Sequence, residues 1–287
     1  MQNVVFGILT GSILAIATIG FSMVRQTEGF LHIAHGQYLA LGAFLGLFFL
    51  DTFSLNVFLA GFLAAVTVGL LGVVFGKVIF DPIKRNGPLA LLFSSIGLAY
   101  ILYGSILVVF GASVRIYPVT FGSVYSLGGI SITLGEITIV AIAALSVLLL
   151  HIFLTRTGVG MWIRAVASNP ELARVRGVRT QLVSSVVWLI ASALAGLAGV
   201  LIGIIGSVNS EIGWFNILIV LSAAVMGGLG SIYGVIAAGL ILGLAMDLSA
   251  LVIPTAYRTV VAFAALILVL LLRPEGLFSL ERRRQAA

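Results

Sequence analysis

Charge is absent from long stretches of this chain: residues 1–24, 29–50, 52–76, 86–114, 137–155, 180–210, 212–246 and 259–272 hold no Asp, Glu, Lys or Arg. A helix needs roughly 20 apolar residues to cross the ~30 Å hydrocarbon core of a bilayer. All but the last of these windows meet that length or come close. The last is short unless Tyr257 and Arg258 sit in the interface, with the arginine snorkelling. The pattern predicts an all-α polytopic membrane protein of about 8–9 transmembrane helices, folded as one transmembrane domain over 1–287. The first segment, Val4 to Val24, is read as a retained span, because it lacks a basic leading region and a small-residue cleavage site.

Residues 216–246 would be about 46 Å long as a single helix, well beyond the core thickness. They are interrupted by Gly227-Gly228-Leu229-Gly230-Ser231, with Gly234 close behind. A broken or re-entrant element is expected here. Non-helical backbone at membrane depth is tolerated only inside protein or along a cavity. A weaker echo of this break and its following helix runs from Ala34-His35-Gly36 to Gly42 and Gly46.

Between two of the apolar runs lies a polar island, 155–180, with Arg156, Arg164, Arg174, Arg176 and Arg179 against Glu171 alone. Asn169-Pro170-Glu171 has the form of a helix start: a cap, a proline at the first position and an acid in the first turn. Gly177 stands where a left-handed C-cap belongs. A short, doubly capped helix is therefore expected in this loop.

Composition agrees: 61% of residues are hydrophobic and 8% charged, against about 25% charged in soluble domains. Disulfides and thiolate metal sites are ruled out, since there is no cysteine. The net charge of +6 resides in loops flanking the spans, which speaks for the positive-inside rule rather than for nucleic acid. By that rule Lys77 to Arg85, the 155–180 loop and the basic tail 273–287 face the cytoplasm. The 112–135 segment, with β-like runs at Val119-Thr120-Phe121 and Ile130-Ser131-Ile132-Thr133, faces outward together with Ser207 to Phe215. Passing from 215 to the tail then requires an odd number of crossings, so 216–246 must span twice or enter and return.

Little in the chain suggests chemistry. No G-x-x-x-x-G-K-[ST] run is present for ATP, and no nucleophile-and-base motif. His32 and His35 at the head of the second span lack further ligands nearby for a metal. Capping a helix or lining a polar cavity suits them better, since intramembrane ionisable groups face the bundle interior. Glu136 complements a helix start, whereas Asp247 at a helix end has no evident partner and leaves a proton-relay role open. Gly7/Gly11, Gly42/Gly46, Gly72/Gly76, Gly199/Gly203 and Gly239/Gly243 form G-x-x-x-G spacings, read as close helix packing.

Glu171-Leu172-Ala173-Arg174-Val175-Arg176-Gly177 resembles the E-A-A-x-x-x-G coupling segment of binding-protein-dependent ABC importer permeases. Further stretches resemble one branch, the branched-chain amino-acid permease family: Ile33-Ala34-His35-Gly36 with Tyr38 and Leu41-Gly42-Ala43, then Gly158-x-Gly160-x-x-x-Arg164-Ala165. To these are added Gly227-Gly228-Leu229-Gly230-Ser231 with Gly234, and Arg273-Pro274-Glu275-Gly276-Leu277-Phe278. The resemblance implies that Arg164, Asn169, Pro170, Glu171, Ala173, Arg174 and Gly177 couple the chain to ATPases. His32, His35, Gly36, Gly228, Gly230 and Ser231 would border the substrate pathway. It also implies a second, homologous permease subunit, two cytoplasmic ABC ATPases that bind the ATP, an extracytoplasmic solute-binding protein, and a prokaryotic plasma membrane. No cofactor is expected on this chain. Two departures stand out: His32 where the family usually has asparagine, and Tyr233 where it usually has proline. A small zwitterion or neutral amide suits the pathway, so branched-chain amino acids lead and urea or short amides follow. The alternative of another class is a secondary carrier driven by an ion gradient.

Overall fold

The computed structural model of the chain describes residues 1–119, 122–127 and 130–278. The elements are α1 (Gln2–Glu28), α2 (His35–Phe53), α3 (Val57–Phe75), α4 (Asp81–Ile83), α5 (Pro88–Phe110), a hairpin of β1 (Val124–Leu127) and β2 (Ile130–Thr133), and α6 (Leu134–Arg156). There follow α7 (Gly158–Ser168), α8 (Pro170–Val175), α9 (Thr180–Ile205), α10 (Ile212–Gly227), α11 (Ile232–Ser249) and α12 (Arg258–Leu272). A π-helical turn, Gly76–Phe80, joins α3 to α4. Among the described residues, eight helical stretches are long and apolar enough to cross a membrane, and α10 is a shorter apolar helix beside them. The expected all-α polytopic architecture is the one observed.

Five helices, α3, α6, α7, α8 and α11, start on a side chain that satisfies an orphan backbone donor. Asn56 caps α3 through Leu59 N at 2.8 Å. Thr133 and Glu136 form a reciprocal capping box on α6. Ser231 Oγ accepts from Gly234 N at 3.0 Å to open α11. α1 ends on Gly29, whose φ of 81° only glycine adopts cheaply.

Hydrophobic burial does not drive helices together in lipid, so close backbone approach must do so. α1 runs through the middle of the bundle against α11, and the G-x-x-x-G pairs of the two helices meet each other. A β-carbon on Gly7 would lie 2.8 Å from Leu244 Cα, one on Gly11 2.8 Å from Leu240 Cα, and one on Gly239 2.9 Å from Ala15 N. Gly42 of α2 is pressed in the same way onto the backbone of Gly196 in α9. α5, α6 and α12 are the least enclosed of the spans.

Contacts distinguish two ends. At the hairpin end, Gln2 Nε2 donates to Ser131 O at 2.8 Å, Arg115 and Val208 form an isolated bridge, and the Tyr103 hydroxyl donates to Glu211. The 112–135 and 207–215 segments, expected on one side, do share it. Ile130–Thr133 is a strand as its composition suggested; Val119 lies outside the strands, and Thr120 and Phe121 lie outside the described residues. At the basic end lie Lys84, the 155–180 loop and Arg273; the tail beyond 278 is outside the described residues.

The 216–246 window resolves into two antiparallel helices, α10 and α11, joined by a turn at 228–231. With α12 they supply the odd number of passages that the charges required. The turn lies at the basic end, where Leu277 N donates to Met226 O at 2.8 Å and Tyr233 meets His151 near the foot of α6. A second interruption lies deeper. After α1 ends, residues 29–34 run back without helical structure, and α2 begins only at His35. His35 Nε2 lies 2.9 Å from Ala17 O, about three turns or ~16 Å above the foot of α1. The non-helical backbone at depth is therefore 29–34, ahead of the first half of the echo noted in the sequence. Its second half is a turn at the edge.

Candidate functional site

Two candidate regions emerge, one at the basic end and one along the 29–34 segment. At the basic end, Thr157 Oγ1 accepts from Gly160 N at 3.0 Å and starts α7. α7 folds back onto α6 so closely that a β-carbon on Gly160 would lie 2.6 Å from Leu154 Cα. Ile163 and Val166 go into the core, leaving Arg164 and Met161 exposed. Asn169 Oδ1 then accepts from Leu172 N at 2.9 Å and begins α8 with Pro170 at its first position. Gly177, at φ 81°, and Val178 N donating to Ala173 O at 3.0 Å close it. Both predicted caps are present. Within α8 only Ala173 is buried, while Glu171, Arg174, Leu172 (55% exposed) and Val175 (83% exposed) point outward. This short helix thus anchors one small residue and leaves two large apolar ones exposed.

Beneath α8 is a cavity of about 620 Å³ reached by Pro170 and Arg174. A charge network forms its floor. Lys84 Nζ lies 2.6 Å from Glu28 Oε2 and 2.7 Å from Asp81 Oδ1. Ser184 Oγ donates to Glu28 Oε1 at 2.6 Å and accepts from Lys84 Nζ at 3.2 Å. The network ties the foot of α1, the short α4 with the Lys84 that follows it, and the start of α9 together beside α8. No sequence motif announced it, although Glu28 and Asp81 are single acids at the ends of apolar runs.

Along 29–34, Phe30, His32 and Ala34 are buried. Ser95 Oγ accepts from Ala34 N at 3.0 Å and lies 3.1 Å from His32 Nδ1. His32 is boxed by Tyr38, Phe80 and Trp188 at ring separations of 5.1, 5.3 and 5.0 Å. His32 Nε2, His35 Nδ1, the Tyr38 hydroxyl, Trp188 Nε1 and the Ser192 hydroxyl are buried with no hydrogen-bond partner. Such unpaired groups are costly in a dry interior. His151 pairs instead with Tyr233, 2.7 Å away at the basic end. Among the described residues no three His, Asp or Glu side chains are grouped as metal ligands.

The pathway residues drawn from the sequence therefore divide. His32 and His35 share one buried cluster, with ring centroids 6.2 Å apart. Gly36 instead packs against the Gly213 carbonyl of α10. Gly228, at φ 93°, Gly230 and Ser231 form the turn at the basic end, with Ser231 serving as the α11 cap. Asp247 also has a partner: it forms an ion pair with Arg258 across the turn between α11 and α12. That pairing gives Arg258 a role beyond snorkelling.

The family described as branched-chain amino acid transport system, permease component, matches residues 3–270. The high-affinity branched-chain amino acid transport system permease protein LivH of Escherichia coli (strain K12) is 32% identical over 96% of this chain and 94% of its own length. BraD of Pseudomonas aeruginosa, of the same description, is 31% identical over 96% of this chain and 95% of its own. The fructose import permease protein FrcC of Rhizobium meliloti is 35% identical over 36% of this chain. No solved structure matches. With its family shown over nearly its whole length, this multi-pass membrane protein belongs to the branched-chain amino acid transport permeases.

Proposed function

We propose that the chain is a membrane subunit of an ATP-driven, binding-protein-dependent ABC importer for branched-chain amino acids. The observation that carries this reading is α8: doubly capped, anchored by Ala173, and exposing Leu172 and Val175 at the basic end. The positive-inside rule sets that end in the cytoplasm. Two ATPases bind there, a second permease packs on the less enclosed helices, and a solute-binding protein docks at the hairpin end. ATP-driven closure of the ATPases moves α8 as a lever. Ala173 passes the motion to α7 and α9, and the Glu28–Lys84–Ser184 network passes it to α1 and the 29–34 segment. Interconversion of rigid packings then opens the pathway to each side in turn. Specificity for leucine-like substrates arises mainly in the binding protein.

The test is gentle purification of the tagged chain with mass spectrometry of its companions, followed by reconstitution. A P-loop ATPase and a second permease should copurify, and the vesicles should take up leucine with ATP. Gly177→Val forces a β-branched residue to positive φ at about 1–2 kcal/mol. It should leave assembly and ATP hydrolysis intact while uptake falls. Normal coupling in that variant would remove the lever, and purification of a lone, transport-competent chain would remove the importer.

A further inference from the structure

A cavity of about 510 Å³ lies between α1, α6 and α11, within the roughly 300–1,000 Å³ of small-molecule sites. Small residues make room for it: Ser12 and Ala15 of α1, Ala143 and Ala144 of α6. α6 is one of the least enclosed spans, so the cavity is reached from the side, through the membrane. From Ala143 to His151 along α6, and from Leu240 to Ile232 along α11, it runs eight residues, or ~12 Å as helix. That is most of one leaflet's half of the ~30 Å hydrocarbon core. The wall over this length is apolar apart from Ser12, whose hydroxyl donates to Ile8 O at 2.6 Å. The other polar side chains, His151, Thr155, Arg164 and Tyr233, gather at the basic end.

Two observations at that mouth select an occupant. Arg164 is exposed and has no acidic partner among the described residues, and neither Asp nor Glu lines the cavity. His151 Nδ1 and the Tyr233 hydroxyl lie 2.7 Å apart; whichever of them donates, the pair keeps at least one further N–H or O–H to give. A cation and a spare donor above an apolar slot of leaflet depth fit a phosphodiester above an acyl chain. A zwitterionic head would bring its own cation, for which the lining offers no carboxylate. We infer that this cavity holds an anionic phospholipid of the leaflet at the basic end, its phosphate on Arg164 and the His151–Tyr233 pair, and one acyl chain along Ile19, Val147 and Ile236. Arginine meets phosphate through charge-assisted, often bidentate hydrogen bonds. The negative surface potential of a cytoplasmic leaflet reflects a supply of such lipids there. A second cavity, of about 460 Å³ between α3, α6 and α9 toward the hairpin end, is equally apolar but has no charged residue in its lining. An acyl chain by itself would enter either; the cavity at Arg164 also chooses a head group.

The test is native mass spectrometry of the full chain, stripped of lipid in detergent and titrated with dioleoylphosphatidylglycerol or dioleoylphosphatidylcholine. The first equivalent of phosphatidylglycerol should bind about fivefold or more tightly than phosphatidylcholine, the share of one interfacial arginine. Arg164→Gln should bring it down to the phosphatidylcholine level, and Arg164→Lys, which keeps the charge, should retain the preference. Ala144→Trp fills the cavity and should weaken both lipids. Thr138→Trp, in the hairpin-end cavity, should leave the preference unchanged. No ATPase is present in this measurement, so a coupling role of Arg164 does not enter it. Equal affinity for the two lipids overturns the site, as does a preference that survives Arg164→Gln or Ala144→Trp. Displacement by inorganic phosphate at equal concentration would mark a free-anion site, and lipid-free pairs of chains would mark a protein interface; either result overturns the lipid.

Discussion

Replacing Asn169 with alanine tests how α8 stays rigid. Six residues are too few for a helix to hold in water by itself, since isolated helices shorter than ~12–15 residues are marginal. α8 persists because Asn169 Oδ1 takes the Leu172 N–H at 2.9 Å, Gly177 turns the chain at its far end, and Ala173 is buried. Losing an asparagine cap to alanine costs about 1 kcal/mol, whereas glycine costs only a few tenths. One kcal/mol raises the population of the locally opened helix about fivefold. Amide exchange over residues 169–179, read by mass spectrometry on the chain in nanodiscs, should therefore quicken about fivefold in Asn169→Ala. It should quicken less than about twofold in Asn169→Gly and not at all in Asn169→Asp. Uptake per ATP in the assembled transporter should decline in the same order. Equal exchange in wild type and Asn169→Ala would refute the cap's role. Faster exchange with undiminished uptake would show that α8 need not be rigid to couple.

Other perturbations follow from particular contacts. Gly42→Ala sets a β-carbon into the Gly196 backbone and should destabilise the fold by about 1–3 kcal/mol in detergent melts; Gly97→Ala, with nothing within 4 Å, should not, and equal melting of the two would sink the packing argument. Tyr117→Phe removes the 2.7 Å hydrogen bond donated to Ala43 O, at about 1 kcal/mol in the same assay. Glu28→Gln takes one partner from Lys84, which keeps Asp81 and is 36% exposed. Its cost is therefore about 1 kcal/mol rather than the ~3–5 of a sealed pair. A double-mutant cycle with Lys84→Met should be non-additive, and strict additivity would dissolve the network.

What could be read from the sequence was local. The caps at Asn169 and Glu136, the turn at Gly177 and the interruption at Gly227–Ser231 each lie within a few residues of the backbone groups they satisfy. Tertiary partners were hidden. Nothing in His32-Ile33-Ala34-His35 forbids a helix, so the non-helical path of 29–34 follows from neighbours such as Ser95 and Trp188. Asp247 and Arg258 meet because a turn containing Pro254 folds α12 against α11; two lone charges of opposite sign flanking such a turn were the available hint. The glycine spacings announced close packing but not which helix faces which.

That α1 and α11 touch through glycines bears on how the molecule moves. Side chains between helices act as bearings: they change rotamer and let neighbours rotate by small degrees. Where main chain rests on main chain there is nothing to rotate, and any relative shift must first break the contact. Gly7, Gly11, Gly239 and Gly243 therefore clamp the two helices into a single strut. Whatever motion carries solute through this protein has to bend elsewhere, around the strut rather than within it.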